Sequence, residues 1–173
     1  MARKKQYEEK QQHGTAELPV GLHKMSYPAG TDVIFYLHWH QEFEMLMVTE
    51  GEINFEIEDR RYLLREGDGV FINSNLLHSA RAVDGKPCCC IAIDFHYQFV
   101  HEDIHSRFGR KYLKPVLDGK IVFPEFISVR CPDMSYRPEF EDPANRRRMS
   151  VQPEMEALWD NGGWQSQVLR LLR

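Results

Sequence analysis

Long apolar runs are missing from this 173-residue chain. No stretch approaches the roughly 20 residues that a membrane-spanning helix needs. The opening residues, MARKKQYEEKQQHG, carry basic charge with no apolar core behind it, which excludes a secretory signal peptide. A cytoplasmic, membrane-free protein is the expectation. An excess of basic charge is missing too: 22 Lys and Arg against 26 Asp and Glu leave a net charge of −4, so nothing in the balance points to nucleic-acid binding by this chain itself. The lone basic run, Arg146-Arg147-Arg148, reads as a solvated loop. Cysteine is scarce, at four residues, and none stand in a CxxC pair, so a zinc knuckle is not indicated. Three are consecutive, Cys88, Cys89 and Cys90; on a strand the first and third face one way. Small apolar side chains in a core strand are their expected role, with redox chemistry as the alternative. No internal repeat is evident.

What is present is a core-building composition. Hydrophobic residues make up 42% of the chain and aromatic residues 12%, which excludes global disorder. The length suits one domain with a helical appendage. Residues 1–17 are polar and are expected to form a flexible arm. From 18 to 99 the pattern is β. VIFYLHWH (33–40) and FEMLMVTE (43–50) are rich in strand formers, and INFEIE (53–58) alternates apolar with polar. Residues 48–57 read as a hairpin around Glu50-Gly51, and Asp59-Arg60-Arg61 as a second turn. YLLR (62–65), GVFI (69–72) and CCCIAIDFHYQF (88–99) complete a run of short strands, which suggests a sandwich or barrel. After Phe99 the character changes. Ile104, Phe108, Tyr112 and Leu113 predict a helix over 101–117, limited by Pro115. GKIVFPEFISV (119–129) is an extended apolar piece, and 132–153 is loop-like. Two helices are expected at the end, the last with Trp164, Val168, Leu171 and Leu172 on one face. It reaches Arg173 without a stop signal, as if cut in mid-helix.

The chemistry concentrates in HWHQEFEMLMVTEG (38–51). Residues two apart on a strand point the same way, so His38, His40, Glu42 and Glu44 line one face unless a bulge intervenes. His78, in GDGVFINSNLLHSA, could close over them if the second hairpin folds over the first. Imidazole nitrogens and a carboxylate oxygen suit zinc, iron, nickel or manganese. The same groups could line a metal-free pocket, donating and accepting hydrogen bonds to a polar ligand. Purely structural polar residues are the third reading. On the opposite parity, Phe43, Met45 and Met47 are expected to pack between sheets or against C-terminal helices. Trp39, sharing parity with Phe35 and Leu37, is expected in an outer apolar layer. His101 and His105 read as solvated residues one turn apart on a surface helix. Asp94 and His96 share a strand face and are weaker pocket candidates.

The spacing HxH, three residues, E, six residues, G resembles the first signature of the cupin superfamily, carried here by His38, His40, Glu44 and Gly51. Gly67 and His78 match the spacing of the second signature. The likeness is incomplete elsewhere: Asp32 stands for a leading glycine, Asn73 and Asn75 for a proline and a glycine, and Ala82 for a trailing asparagine. Asparagine tolerates left-handed turns, so the turn can survive. The longer stretch HWHQEFEMLMVTEGEINFEIEDRRYLLREGDGVFINSNLLHSA resembles the sensor half of AraC-type transcription regulators. That resemblance implies a mainly β cupin barrel (double-stranded β-helix or jelly roll) at 18–99, followed by helices at 100–173 for dimerisation and linkage, with the DNA-binding half beyond this chain.

Two classes of function follow, with a cupin that only mediates protein association as a third. The first is a sensor: a small polar effector, guessed to be sugar-like, contacts His38, His40, Glu44 and His78, and binding orders the arm or repositions the helices of a homodimer. DNA is then reached only through a domain absent from this chain. The second is a metal-dependent cupin enzyme, a dioxygenase or isomerase, with a divalent transition metal on the same four residues. The apolar stripe of the last helix favours the sensor, which catalysis does not need.

Overall fold

The computed structural model describes residues 5–128, except 12 and 102. Nine strands are described: β1 (Val20–Tyr27), β2 (Val33–His38), β3 (Phe43–Glu50), β4 (Glu52–Ile57), β5 (Arg60–Arg65), β6 (Asp68–Ile72), β7 (His78–Ala82), β8 (Cys88–Phe95) and β9 (Phe126–Ser128). They form two antiparallel sheets. One has the order β1-β8-β3-β6-β9 and the other β2-β7-β4-β5. From β1 to β4 the chain alternates between sheets, and it does so again from β6 to β8. This is the jelly-roll winding that the cupin resemblance implied, in a chain that is mainly β.

The sheets enclose an apolar core of Leu46, Val48, Ile53, Phe55, Ile57, Leu64, Val70 and Ile72, joined by Cys88 and Cys90. Alternation does this work. In β8 the burial pattern switches at every residue, so Cys88 and Cys90 are buried while Cys89 is half-exposed. Both buried thiols act as small core side chains, and burial pushes the Cys90 thiol up to about 12. Phe43 is buried in a separate cluster with Phe71 and Val116, and Met45 packs against it. That cluster covers the outer face of the five-stranded sheet, as their parity predicted.

The expected hairpin at 48–57 is not formed. β3 and β4 lie in different sheets, and Gly51 is the corner between them. Its φ is +78°, and a Cβ there would meet Pro87 O at 2.6 Å, so both conformation and space require glycine. The hairpin is instead β4–β5, pairing Ile57 with Arg60. Alternation in 53–58 is real, and the second expected turn, at Asp59-Arg60-Arg61, is the one near which the chain reverses into a hairpin.

The expected helix over 101–117 is also redrawn. A helical turn lies at Tyr97–Val100, and a π-helical turn at Gly109–Leu113 runs into an α-helical turn at Lys114–Leu117. Between them, Asp103 Oδ1 accepts the His105 N–H at 2.8 Å and Ser106 Oγ accepts the Gly109 N–H at 2.9 Å. Such short side chains divert backbone donors and favour caps over helix interiors. Pro115 sits inside the helical stretch, just after the π turn, rather than at its limit. His101 and His105 therefore do not share a helix face; His101 Nε2 pairs with Ser106 Oγ at 2.8 Å.

β9 extends the barrel beyond its expected end by pairing with β6. Before it, the Asn73 side chain donates to Phe123 O at 3.0 Å and accepts from Phe123 N at 2.9 Å. Glu125 accepts from Tyr62 at 2.5 Å and ion-pairs with Arg60 at 2.5 Å. The loop at 132–153, the basic run Arg146-Arg147-Arg148 and the two final helices lie outside the described residues. No helix among the described residues is long and apolar enough to cross a membrane.

Candidate functional site: a histidine-lined barrel mouth

Four of the sequence-predicted residues converge. His38 ends β2 and pairs with His78 at the start of β7, their rings 4.2 Å apart. His40 follows in the link to β3, and Glu44 lies on β3. Glu44 Oε2 is 3.3 Å from His40 Nε2 and 3.2 Å from His78 Nε2. The route to this convergence is not the single strand face argued from parity. His38 and Glu44 belong to different sheets, and residues 39–42 turn the corner between them. Register shifts in β2, between Val33 and Phe35 and between Phe35 and His38, break its alternation. Phe35 consequently faces inward, against the His38 and His78 rings, rather than outward. Glu42 does not line the cavity; its backbone carbonyl accepts from His40 Nδ1 at 3.2 Å.

The turn before His78 survives its substitutions as expected. Asn75 adopts φ +64°, the left-handed conformation in which asparagine replaces the signature's glycine.

Three imidazoles share one orientation device. Nδ1 donates to a backbone carbonyl in each: His38 to Tyr36 O at 2.8 Å, His78 to Leu76 O at 2.9 Å, and His40 to Glu42 O. This fixes the tautomer and turns Nε2 into the cavity. For His40, Nε2 meets Glu44, so both nitrogens face acceptors. Burial disfavours its proton, yet Glu44 and then Asp94 outweigh burial and raise its pKa. His38 is shifted the other way, by burial and by His78. Burial works to raise the Glu44 carboxyl, but His40 and His78 overcome it and hold Glu44 well below the usual carboxylate range. His78 Nε2 is fully buried and, among the described residues, makes no hydrogen bond.

A second group adjoins the first. Asp94 on β8 lies directly across from Glu44, a like-charge pair that needs cations beside it. Burial, and then Glu44, push the Asp94 carboxyl up to about 7. Its Oδ1 is 3.8 Å from His40, while Oδ2 is 3.1 Å from His23 Nε2 and 3.3 Å from His13 Nδ1. His23 comes from β1. His13 comes from the arm and donates from Nε2 to Glu9 at 3.1 Å. The arm is held by backbone pairing with Trp39, the residue between the two signature histidines: Glu9 N donates to Trp39 O, and Trp39 N to Tyr7 O, both at 2.9 Å. Trp39 thus pairs with the arm through its backbone.

His13, His23, His38, His40, Glu44 and Asp94 line a cavity of about 480 Å³, while His78 is fully buried and does not line it. One wall is the arm, with Tyr7 and Glu9; Phe35 and Met25 supply apolar surface. Asp94 was a weaker sequence candidate and is a full member. His96, its proposed companion, instead caps the turn at Tyr97–Val100. His13, His23 and Glu9 were missed. His23 carried a usable signal, since GLHKMSY alternates and puts His23 with Met25 on the inward face. His13 carried none.

The donor set fits a divalent transition metal at the signature residues. Ring nitrogens of His38, His40 and His78 lie close enough to share one ion, and Glu44, 3.3 Å from His40 and 3.2 Å from His78, stands beside them in a second such group with His40 and Asp94.

The strand order and this mouth define a cupin-type barrel with a histidine- and carboxylate-lined cavity at one end. Residues 29–125 match the AraC-like ligand binding domain family, more than half of the chain, and the chain belongs to that family. It is 32% identical over 103 residues to the uncharacterized HTH-type transcriptional regulator YdeC of Bacillus subtilis (strain 168). That match covers 59% of this chain and 35% of the regulator, so the chain spans about a third of that relative's length. Among solved structures, a cupin protein from Bacteroides fragilis is 20% identical, with a TM-score of 0.41, covering 44% of this chain and 65% of that one. An RmlC-like cupin from Shewanella frigidimarina is 21% identical, with a TM-score of 0.40, over 44% and 65%.

Proposed function

We propose that this chain is the effector-sensing part of a transcription regulator, binding a small polar molecule in the barrel mouth. The observation that carries this reading is the arm wall. An occupant of the cavity touches His38, His40 and Glu44 on the barrel and Tyr7, Glu9 and His13 on the arm at once, with the fully buried His78 held against Glu44 beside it. Occupancy therefore changes what holds the arm, and a ligand that binds the arm-closed form better shifts the population toward it. Imidazoles and carboxylates beside the Phe35 and Tyr7 rings suit a hydroxyl-rich effector of sugar-like chemistry. In the whole regulator the sensor acts as a homodimer through residues after the barrel. It sets the placement of DNA-binding helix-turn-helix units outside this chain, as the name of the Bacillus relative suggests.

The test is a calorimetric and thermal-shift screen of monosaccharides, polyols and small hydroxy acids. An effector at 100 times its Kd should stabilise the fold by about 2.7 kcal/mol. His38→Ala should weaken its binding at least tenfold, about 1.4 kcal/mol. A hit whose affinity His38→Ala and deletion of residues 1–11 both leave unchanged would remove the barrel mouth as the effector site.

The convergence of the His38, His40 and His78 ring nitrogens favours a second reading, a metal-dependent cupin enzyme with His38, His40, Glu44 and His78 as ligands. A bound ion would supply Lewis acidity toward a substrate oxygen. The protein's part is to fix the imidazole orientations through three backbone carbonyls, keep Glu44 ionised and exclude water with the arm. Elemental analysis of tag-free protein separates the readings. Lack of metal after reconstitution would remove the enzyme and leave the sensor intact.

A further inference from the structure

We propose a second metal site, distinct from the signature residues, in which His13, His23 and Asp94 bind a zinc ion that fastens the arm to the barrel. Three observations converge on it. The first is geometry. His13 Nδ1, His23 Nε2 and Asp94 Oδ2 stand 3.2, 3.1 and 3.3 Å from one another, a nearly equilateral triangle. Ligand atoms held tetrahedrally at zinc's usual bond lengths lie about 3.3–3.5 Å apart, so small outward shifts admit the ion.

The second is the orientation of the donor atoms. His13 turns Nε2 to Glu9, which aims Nδ1 at Asp94 Oδ2 and His23 Nε2. A cation at the centre is met by all three atoms at once. Glu9 then plays the part carboxylates commonly play behind zinc-bound histidines, fixing the tautomer and raising the ligand's basicity.

The third is space. Gly21 on β1 pairs with Asp94 on β8. A Cβ at Gly21 would lie 3.0 Å from His23 Nε2 and 3.4 Å from His13 Cβ. Glycine there leaves room for the arm histidine to enter. Two nitrogens, one oxygen and an open fourth position favour zinc among the divalent ions. Asp94 turns Oδ1 toward His40 and Oδ2 toward this site, so one carboxylate faces both histidine sets. The site is independent of which effector the barrel takes.

The experiment uses the tag-free full chain, stripped with chelator and dialysed against zinc chloride, with zinc counted by elemental mass spectrometry. His13→Gln and His23→Gln should each bind one zinc fewer per chain than the parent, whatever the signature residues hold, and His38→Gln should retain this zinc. The second readout is tryptic cleavage after Lys10 in the arm. Zinc should slow it about tenfold or more in the parent, by lowering the open population, and not in His23→Gln, whose arm is unaltered. Equal zinc content in the parent and both variants would overturn the proposal. So would cleavage after Lys10 that zinc does not slow. A His23→Gln protein that loses zinc and also its fold by circular dichroism is replaced by His13→Gln, where the change lies outside the barrel strands.

Discussion

The two histidine groups at the barrel mouth differ in how their residues are held. In the signature group, His38, His40, Glu44 and His78 sit on or beside barrel strands, and each imidazole is pinned by a backbone carbonyl two residues away. In the arm group, Asp94 and His23 belong to strands, but His13 arrives from a polar segment, and the partner that orients its Nε2 is Glu9, another arm residue. The first group is part of the fold's own packing, with His78 fully buried and stacked parallel to Phe55. The second depends on the arm being in place. Proteins tend to draw their moving parts from such weakly packed segments. A pocket with one fixed wall and one conditional wall is suited to reporting its contents.

The largest test of this contrast is deletion on each side. His78→Ala should cost about 2–4 kcal/mol in urea denaturation, since it empties a filled core position. A cost below about 1 kcal/mol, the size of a surface effect, would show that the signature group is not part of the core.

Next comes pH, where the two carboxylates should act with opposite sign. Glu44 is held below its ordinary value, so its contribution is present above that value and is lost as pH falls through the lowered one. Asp94 is raised to about 7, so its contribution is whole below the ordinary carboxylate range and fades as pH rises through about 7. His13 and His40, both raised, fade in the same alkaline direction. In chelator, Glu44→Gln should therefore remove part of the stability loss below about pH 4.5, and Asp94→Asn part of the loss between about pH 4 and 7. Urea midpoints across pH 3–8 decide it; identical profiles for both variants would erase the distinction.

A smaller effect is expected at the seam behind the site. Asn73→Ala removes both side-chain bonds to Phe123 and should cost about 1–2 kcal/mol, read by urea denaturation. Smallest of all, Glu9→Gln weakens a half-exposed partner of His13 and should change global stability by less than about 1 kcal/mol. Its effect should appear as faster amide exchange confined to residues 5–13. Uniformly faster exchange over the barrel would mean that the arm is as integral as the strands.

The contrast also explains what could be read from the sequence. The signature spacing brought His38, His40, Glu44 and His78 together because it encodes a two-sheet winding, although parity alone could not see the corner at 39–42. The jelly roll was legible for the same reason, and so were the buried Cys88 and Cys90, from alternation. The β3–β4 hairpin failed because a glycine corner and a hairpin turn look alike in one dimension; only sheet membership separates them. The helix at 101–117 failed because Asp103 and Ser106 captured backbone donors that an apolar periodicity does not register. His13 was illegible in principle. Its neighbours are polar, and its partners Asp94 and His23 are fixed by strand order, not by distance along the chain.

Asn73 carries one more consequence. Its side chain offers Phe123 one donor and one acceptor, the same pair a peptide unit offers across a ladder. The returning segment is thereby buttoned to the sheet before β9 pairs with β6, and β6 pairs with β3, which carries Glu44. Two strand spacings across the sheet, about 10 Å, and the four residues from Ile72 to Asp68 along β6, about 13 Å, lie between Glu44 and Ser128. Ser128, the last described residue, is thus braced through β9 and β6 to the strand that floors the pocket, so a displacement of Glu44 reaches it through two rigid ladders rather than through a loop.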